Sequence, residues 1–220
     1  MIDFLIKVAL SYALGSVLGG LVIGRLRGGV DIRSMGSGNA GSTNALRTQG
    51  RKFALAVLLI DVGKGYVASR LIPLLALPLP VASPFLQPWL AAACSAAALL
   101  GHVYPLWYGF RGGKAVATFV GVILGLAPLW LVPVLLVWAA VLICTGFVGL
   151  SSIIGATAFP VGLILADLWP RGASEPLPLV VFALFAAGLI ILTHRQNIAR
   201  MLKGNEPRAR RVWLRGRRSA

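Results

Sequence analysis

The sequence predicts an all-α integral membrane protein with seven transmembrane helices, on the basis of its composition, its apolar runs and its charge distribution. Hydrophobic residues make up 58% of the 220 residues, charged residues only 12%, and the mean hydropathy is +0.85. A soluble domain of this length has too little interior to hide so much apolar surface. The apolar residues also fall into runs of about 20 residues, the length that a helix needs to cross a bilayer.

Seven apolar runs follow one another along the chain, separated by polar or proline-containing loops. They cover residues 2–24, 53–75, 90–104, 115–127, 129–147, 149–168 and 179–193. The fourth run is short for a complete crossing, and six spans would remain without it.

The distribution of Lys and Arg decides between six spans and seven. With seven, all basic residues except Lys7, Lys64, Arg70 and Arg171 collect on one face of the membrane. Basic loops stay on the cytoplasmic side, so this pattern favours seven spans with the N-terminus outside and the C-terminus in the cytoplasm. We expect residues 1–220 to form a single membrane-embedded domain that ends in a basic cytoplasmic tail, residues 194–220.

The net charge of +15 would suggest nucleic-acid binding in a soluble protein. Here the cations flank apolar runs, a pattern typical of membrane orientation and of anionic ligands. We therefore expect membrane lipids and anionic substrates as partners, and no nucleic acid.

The first polar loop contains the stretch Gly36-Ser-Gly-Asn-Ala-Gly-Ser-Thr-Asn44. Its small residues leave the backbone amides accessible, so that successive N–H groups can point at one anion. Ser42 or Thr43 is suited to cap a short helix, whose N-terminus also favours negative charge, and Arg47 adds a fixed cation about one turn later. The predicted phosphate site comprises Gly36, Ser37, Gly38, Asn39, Gly41, Ser42, Thr43, Asn44 and Arg47.

The same stretch matches the G-x-G-x-x-G pattern of dinucleotide-binding proteins, and Asp61 follows its last glycine at a suitable distance. That pattern requires a preceding strand and a parallel sheet. Here an apolar span precedes the loop and Asp61 lies within the next span, so a nucleotide site is disfavoured.

Asp61 and Lys64 lie three residues apart in the second span and share one face of a helix. Charged residues at that depth should pair with each other or face a wet cavity. An internal ion pair that locks helices together and a direct role in function are equally compatible with the sequence.

A second polar insertion ends in Phe110-Arg-Gly-Gly-Lys114. Gly112 and Gly113 allow a ligand to approach the backbone closely, and Lys114 supplies a cation at the start of a helix. The stretch is not a Walker loop, because its glycine spacing is one residue short and Ala115 replaces the required hydroxyl. We interpret it as a second phosphate clamp; the alternative is an ordinary basic turn on the cytoplasmic side.

The last span ends in His194-Arg-Gln-Asn-Ile-Ala-Arg200, in which His194, Asn197 and Arg200 share a helix face. A lone histidine is more often structural than functional, but its pairing with Asn197 in an otherwise basic segment favours ligand contact. His102, at the end of the third span, is as well suited to bracing a loop as to touching a substrate.

The sequence contains no recognisable Ser/Cys–His–Asp set and no cluster of metal ligands, so we expect no metal and no cofactor. Neither histidine is followed by the aspartate of the usual glycerolipid acyltransferase dyad: the residue five positions on is Trp107 after His102 and Ala199 after His194. The available polar groups are hydrogen-bond donors and cations, which suit polyanionic reactants.

Three stretches together resemble the bacterial acyl-phosphate:glycerol-3-phosphate acyltransferases. They are the glycine-rich stretch of residues 36–44, the pair Gly-His-Val-Tyr-Pro and Phe-Arg-Gly-Gly-Lys-Ala-Val-Ala-Thr within residues 101–118, and the pair His-Arg-Gln-Asn-Ile-Ala-Arg and Lys-Gly-Asn-Glu within residues 194–206. The resemblance covers nearly the whole chain. It implies transfer of a fatty acyl group from acyl phosphate to the 1-hydroxyl of glycerol 3-phosphate, giving lysophosphatidic acid and phosphate. Acyl-CoA and acyl carrier protein are not direct donors in that family.

The resemblance also implies roles for particular residues. Ser37, Arg47, Lys114, His194 and Asn197 are the expected contacts for the phosphorylated substrates, with the amides of residues 36–44 around one phosphate. Gly112 and Gly113 are expected beside Lys114, and Ser152 is a weaker candidate for phosphate contact. The family often has Pro where Ala40 stands and Gly where Ala115 stands, so the backbone beside Lys114 is expected to be slightly less free. We expect a bacterial inner-membrane enzyme of phospholipid synthesis, with its active site on the cytoplasmic face.

An organic-phosphate transporter is the main alternative, because it would also use cations and broken helices. Transporters often bind substrates near the midplane between internal repeats, and the sequence shows no repeat. A purely structural membrane protein is the weakest alternative, because it leaves three clusters of glycines and cations unexplained.

Overall fold

A computed structural model describes residues 1–78, 84–168 and 175–209, and all regular structure in these ranges is helical. The α-helices are α1 (Ile2–Gly15), α2 (Gly19–Leu26), α3 (Ser42–Gln49), α4 (Arg51–Tyr66), α5 (Leu90–Val103), α6 (Val116–Leu126), α7 (Pro128–Thr145), α8 (Val148–Asp167), α9 (Leu177–Thr193) and α10 (Arg195–Leu202). The all-α prediction is therefore confirmed for the described residues.

Three helical segments in the described residues are long and apolar enough to cross a membrane: Gln87–Tyr108, which contains α5, and the helices α7 and α8. Two bent pairs, α1 with α2 and α9 with α10, would raise this number to five if each pair forms one span. The predicted first span, residues 2–24, is not one continuous helix, because the chain breaks after Gly15 and turns by 52°. The predicted fourth span is the short apolar helix α6, with 11 residues.

The predicted second span is helical throughout but irregular at its end. After α4 the chain continues as a π-helical segment, Val67–Leu71, and a 3-10 turn, Ile72–Leu74. Pro73 lies in this last turn of the predicted second span, where the helix ends, because proline lacks the N–H that a continuing helix requires.

The chain divides into two compact units, residues 1–127 and 128–220. In the first unit α1 packs on α5, and α4 packs on α6. Glycines permit these contacts: a Cβ at Gly15 would overlap the backbone of Ala98, and a Cβ at Gly65 would overlap the carbonyl oxygen of Thr118. Small residues that let helices approach closely are typical of membrane proteins.

In the second unit α7 packs on α8, and α8 packs on α9. Only 6% of α7 is buried within the protein, so its apolar side chains are suited to contact with lipid. The side chain of Trp130 occupies the space where a Cβ on Gly162 would lie, which seats α7 against α8. The chain bends by 54° between α9 and α10.

Parts of two predicted loops and the end of the predicted basic tail fall at residues 79–83, 169–174 and 210–220, outside the described residues.

Candidate active site

The glycine-rich loop begins with a 3-10 turn, Ile32–Ser34, which the carboxylate of Asp31 caps by accepting from the amide of Arg33 at 2.9 Å. Two left-handed residues follow, Gly36 with φ of +57° and Gly38 with φ of +70°. Residues with a Cβ adopt such angles only at a cost, so these two glycines let the loop curl back on itself. The loop then ends at the N-terminus of α3.

The side chain of Asn44, in the first turn of α3, holds this loop together. Its Nδ2 donates to the carbonyl oxygens of Ile32 at 2.8 Å, Met35 at 3.0 Å and Asn39 at 2.9 Å. Its Oδ1 accepts from the amide of Ser37 at 2.9 Å. Asn44 is 1% exposed, so its side chain shapes the loop, and only its neighbours can present groups to a ligand.

The N-terminus of α3 differs in one detail from the prediction. Gly41 is the N-cap, without a side-chain cap, so neither Ser42 nor Thr43 caps the helix as expected. Both are instead first-turn residues, whose amides lack the intrahelical acceptors available further along the helix. The amide of Gly41 is occupied by Asn39 Oδ1 at 2.8 Å. Ser37, Thr43 and Arg47 are exposed around this helix end.

The second polar insertion folds back onto the end of α5. The amide of Gly112 donates to the carbonyl oxygen of Val103 at 3.1 Å, and that of Gly113 donates to His102 at 3.0 Å. A Cβ on either glycine would overlap His102, so both positions require glycine. Lys114 follows directly, half-buried, just before α6 begins.

Two non-glycine residues of this insertion have left-handed backbones, Phe110 with φ of +58° and Ala115 with φ of +60°. Such angles are unusual for residues with a Cβ. Ala115 is the N-cap of α6 and stands where the family that the sequence resembles often has glycine. The backbone beside Lys114 was expected to be less free with alanine than with glycine, and Ala115 indeed has the strained, left-handed conformation.

The two polar loops of the first unit contact each other. Arg33 Nη1 donates to the carbonyl oxygen of Arg111 at 3.0 Å. The guanidinium groups of Arg25 and Arg33 lie 5.9 and 5.8 Å from the centre of the Tyr108 ring, within range of cation–π attraction. These contacts bring the loop that carries Arg47 next to the loop that carries Lys114.

Asp31 restrains the arginine that makes the bridge. Arg33 donates through Nε and Nη2 to both carboxylate oxygens of Asp31, at 2.8 to 3.2 Å. Hydrogen bonding from the Arg33 side chain lowers the pKa of Asp31, and the same bond raises the pKa of Arg33. Both groups are therefore charged at neutral pH, and the fork geometry fixes the guanidinium plane.

The predicted third cluster belongs to the second unit. His194 lies at the break between α9 and α10, is 3% exposed, and its Nδ1 lies 2.8 Å from the carbonyl oxygen of Ile190. Because a carbonyl oxygen can only accept, Nδ1 carries a proton, and in the neutral ring Nε2 is then the acceptor.

Asn197 and Arg200 share one partner, the buried carboxylate of Glu206. Asn197 Nδ2 donates to Glu206 Oε1 at 2.6 Å, and Arg200 Nε donates to Oε2 at 2.7 Å. Asn197 and Arg200 thus lie on the same side of α10, whereas His194, which was expected on the same helix face, precedes the helix as its N-cap. Ser152 lies on α8, is 5% exposed, and its hydroxyl donates to Val148 at 2.9 Å.

A family model described as glycerol-3-phosphate acyltransferase matches residues 5–204.

The chain belongs to the glycerol-3-phosphate acyltransferase family.

Relatives bearing that name include one from Synechococcus sp. (strain JA-2-3B'a(2-13)), 40% identical, with 97% of this chain and 98% of the relative covered. Another, from Geobacter sulfurreducens, is 41% identical, with 94% of this chain and 98% of the relative covered. The crystal structure of PlsY (YgiH), an integral membrane glycerol 3-phosphate acyltransferase in its glycerol 3-phosphate form, is 34% identical, covers 93% of this chain and 94% of its own, and has a TM-score of 0.79. A lysophosphatidic acid form of PlsY gives a TM-score of 0.77. This chain is thus an integral membrane acyltransferase.

Sequence reasoning missed several residues that hold the predicted motif segments in each unit of this acyltransferase. Glu206 carried a signal, because it and Asp31 are the only carboxylates in the predicted cytoplasmic segments. Nothing in the sequence indicated that Tyr108 has a special role, because aromatic residues are common in interfacial loops. The loop-holding role of Asn44 was also invisible, since its carbonyl partners are backbone atoms.

We expect Asn44→Asp to disorder the glycine-rich loop, because a carboxylate cannot donate to the three carbonyl oxygens that the amide now satisfies. Transferase activity should fall by at least about 10-fold, since a small misplacement of binding groups is sufficient for such a loss. Hydrogen exchange should accelerate in residues 32–44. Gln87→Glu, the same chemical change at an exposed position away from this loop, is the control and should leave both measurements unchanged. Normal protection of the loop in Asn44→Asp would contradict this role.

Proposed function

We propose that this protein transfers a fatty acyl group from acyl phosphate to the 1-hydroxyl of glycerol 3-phosphate. The products are 1-acylglycerol 3-phosphate and inorganic phosphate. Membership of the glycerol-3-phosphate acyltransferase family supports the acceptor and the reaction class. The donor is supported by the resemblance of the three motifs and by the scarcity of groups for activating a less reactive donor.

The observation that carries this proposal is the contact between two anion-binding loops in one unit. One loop offers the first-turn amides of α3 with Arg47, and the other offers two glycines followed by Lys114. The hydrogen bond from Arg33 to Arg111 joins them. The reaction brings together two phosphorylated molecules, which would otherwise repel each other, so two adjacent cationic sites suit it.

The proposed contacts are assigned by chemistry. Ser37 and the first-turn amides of Ser42 and Thr43 bind one substrate phosphate at the positive end of α3, with Arg47 as the cation. The amides of Gly38 and Gly41 already donate to the Met35 carbonyl oxygen and to Asn39 Oδ1, so these glycines shape the loop.

Lys114 binds the second phosphate. The amides of Gly112 and Gly113 already donate to the carbonyl oxygens of Val103 and His102, so these two glycines fix the backbone that carries Lys114. Asn44 contributes indirectly, by holding the loop. The proposal also assigns His194 and Asn197 to substrate binding, with Ser152 as a weaker candidate.

Acyl phosphate is a mixed anhydride and is already activated, so alignment of the reactants supplies much of the rate. The bond from the glycerol oxygen to the acyl carbon forms, the bond from the acyl carbon to the phosphate oxygen breaks, and its electron pair leaves with phosphate. The hydroxyl proton passes to a phosphate oxygen of the substrate. His194 then binds or orients a substrate and does not act as the base.

Residues 1–220 act in this proposal as one membrane-embedded acyltransferase domain, because the family model runs through both units. The proposed location is the bacterial inner membrane, with the catalytic loops on the cytoplasmic face and the acyl chain in a lipid-facing groove. No cofactor takes part in the proposed reaction.

The purified protein in detergent should form lysophosphatidic acid from acyl phosphate and glycerol 3-phosphate. Lys114→Ala should lower kcat/KM by at least about 100-fold, because a cation facing the developing charge is lost. Lys52→Ala removes an exposed lysine of the first polar loop and should leave kcat/KM within about 2-fold.

The reaction and the second phosphate clamp can be contradicted separately. An organic-phosphate transporter would give no product in detergent and would move glycerol 3-phosphate only across sealed vesicles. Full activity of Lys114→Ala would exclude the second phosphate clamp while leaving the reaction itself intact.

His194→Gln separates binding from proton transfer, because the glutamine amide can reach the position of Nε2 without acting as a base. We expect kcat within about 5-fold of the original value and a raised KM, as for loss of binding alone. Steady-state kinetics and isothermal titration with glycerol 3-phosphate provide the measurements. Intact binding with complete loss of kcat would establish His194 as the base.

Seven spans with an outer N-terminus place residues 75–89 outside and the end of α10 in the cytoplasm. In a Cys94→Ala, Cys144→Ala background, Phe85→Cys should react with an impermeant thiol reagent applied to intact cells. Lys203→Cys should react only after the membrane is permeabilised. Labelling of both positions from the same side would contradict the seven-span topology.

A further inference from the structure

A buried polar cluster lies where α4, α5 and α6 of the first unit pack together. Its members are Asp61, Lys64, His102 and Thr118, each at most 4% exposed. The Lys64 ammonium is its centre, with Nζ lying 2.9 Å from Asp61 Oδ1, 2.7 Å from the carbonyl oxygen of Val17 and 2.8 Å from His102 Nδ1. The three N–H groups of Lys64 therefore each have an acceptor.

These contacts define the state of the His102 ring. An ammonium group can only donate, so the contact with Lys64 makes His102 Nδ1 an acceptor. The neutral ring then carries its proton on Nε2. Thr118 Oγ1 lies 3.1 Å from the same Nδ1. Contacts from α4 and from α6 thus converge on the same nitrogen of the ring.

The opposite edge of this ring faces the loop that ends in Lys114. A Cβ on Gly113 would overlap His102 Nε2 and would lie 3.1 Å from Cδ2 and 3.2 Å from Cε1. The Gly113 amide also donates to the His102 carbonyl oxygen at 3.0 Å. Because Lys64 and Thr118 hold the ring, it cannot swing aside, and it sets the position of the backbone one residue before Lys114.

The cluster also reaches the glycine-rich loop. Asp61 Oδ1 accepts from the amide of Gly19 at 3.2 Å, at the start of α2, where a helix favours negative charge. The next residue, Gly20, packs so closely on Ala40 that a Cβ would overlap the Ala40 carbonyl oxygen. One buried ion pair is therefore connected to both polar loops, through His102 to Gly113 and through Gly19 and Gly20 to Ala40.

We propose that Asp61, Lys64, His102 and Thr118 are positioning residues that fix the Lys114 loop relative to the glycine-rich loop. This inference rests on the proposed acyl transfer, because it concerns the alignment of the two phosphate sites. None of the four side chains touches substrate in this proposal. Their effect passes through the ring contact with Gly113 and the carboxylate contact with Gly19.

The first unit contains a second buried Lys–Asp pair, Lys7 with Asp3, for which no contact with either polar loop is found among the described residues. Lys7 Nζ lies 3.1 Å from Asp3 Oδ2 and donates to the carbonyl oxygen of Pro73 at 3.2 Å. Both side chains are nearly buried, at 7% and 5% exposure, compared with 2% and 1% for Lys64 and Asp61. Removing a carboxylate from either pair leaves a buried ammonium without its partner, so both changes should lower stability.

The first experiment compares Asp61→Asn with Asp3→Asn in full-length protein in detergent. Both variants should lower the thermal unfolding midpoint, but only Asp61→Asn should lower kcat, by about 100-fold, since misplaced reactants lose rate before they lose binding. Asp3→Asn should keep kcat and KM within about 2-fold. Thr118→Val serves if Asp61→Asn fails to fold. It should lower kcat by about 10-fold, and it should lower the unfolding midpoint less than Asp61→Asn does, because it leaves no buried charge without its partner.

The second experiment tests the ring contact itself. Gly113→Ala should lower kcat by at least about 100-fold, because its methyl group displaces the loop from the fixed ring. His102→Asn keeps an acceptor for Lys64 and removes the ring edge, and by itself should lower kcat by about 10-fold. The double variant should be at least about 10-fold more active than Gly113→Ala, because the smaller side chain makes room for the methyl group.

The outcomes separate the two proposals. Absence of acyl transfer by the unsubstituted protein would contradict the proposed function. If the unsubstituted protein is active, two results would overturn the positioning role alone. One is that Asp61→Asn and Asp3→Asn have equal effects on kcat and KM. The other is that His102→Asn fails to restore activity to Gly113→Ala.

Discussion

The ion pair between Lys64 and Asp61 is the interaction on which the first unit depends. Two charges inside an apolar helix are tolerated only when each finds partners, and here the partners come from other parts of the chain. Lys64 is bound by the Val17 carbonyl and the His102 ring, and Asp61 by the Gly19 amide. Because three segments must meet for these charges to be satisfied, the break between α1 and α2, the end of α5 and the face of α4 are fixed together. A set of purely apolar helices would not define their register so closely.

Both units hold a surface segment by a buried polar side chain. In the first unit the amide of Asn44 satisfies three carbonyl oxygens and one amide of the glycine-rich loop. In the second unit the carboxylate of Glu206 binds Asn197 and Arg200. A loop without a helical or sheet partner must satisfy its backbone in some other way, and a single side chain with several donors and acceptors does so economically. Small residues can then surround it, which keeps amides available to an anionic ligand.

This architecture suits a reaction whose donor is already activated. Displacement at a mixed anhydride needs alignment and charge neutralisation more than it needs a strong nucleophile. The loops supply helix-terminal amides, glycine backbone and cations, and they lack a Ser–His–Asp arrangement among the described residues. The orientation of His194 adds one constraint on any mechanism, because its Nδ1–H is committed to the Ile190 carbonyl and only Nε2 can accept a proton or a hydrogen bond.

The sequence alone determined the helical membrane class, the positions of most helices and the three motif segments, because these follow from hydropathy and from residue types adjacent in the chain. It also placed Asp61 and Lys64 three residues apart on one helix face, but it left an internal ion pair and a direct role equally open. It did not reveal the break within the first span, because a local preference for helix does not show that Asp61 accepts from the Gly19 amide and stabilises a break there. It likewise left the role of His102 open and missed the loop-holding Asn44 and Glu206. Those assignments depend on backbone atoms brought together from distant positions, and only tertiary structure decides which carbonyl oxygen or amide lies within hydrogen-bonding distance of a given side chain.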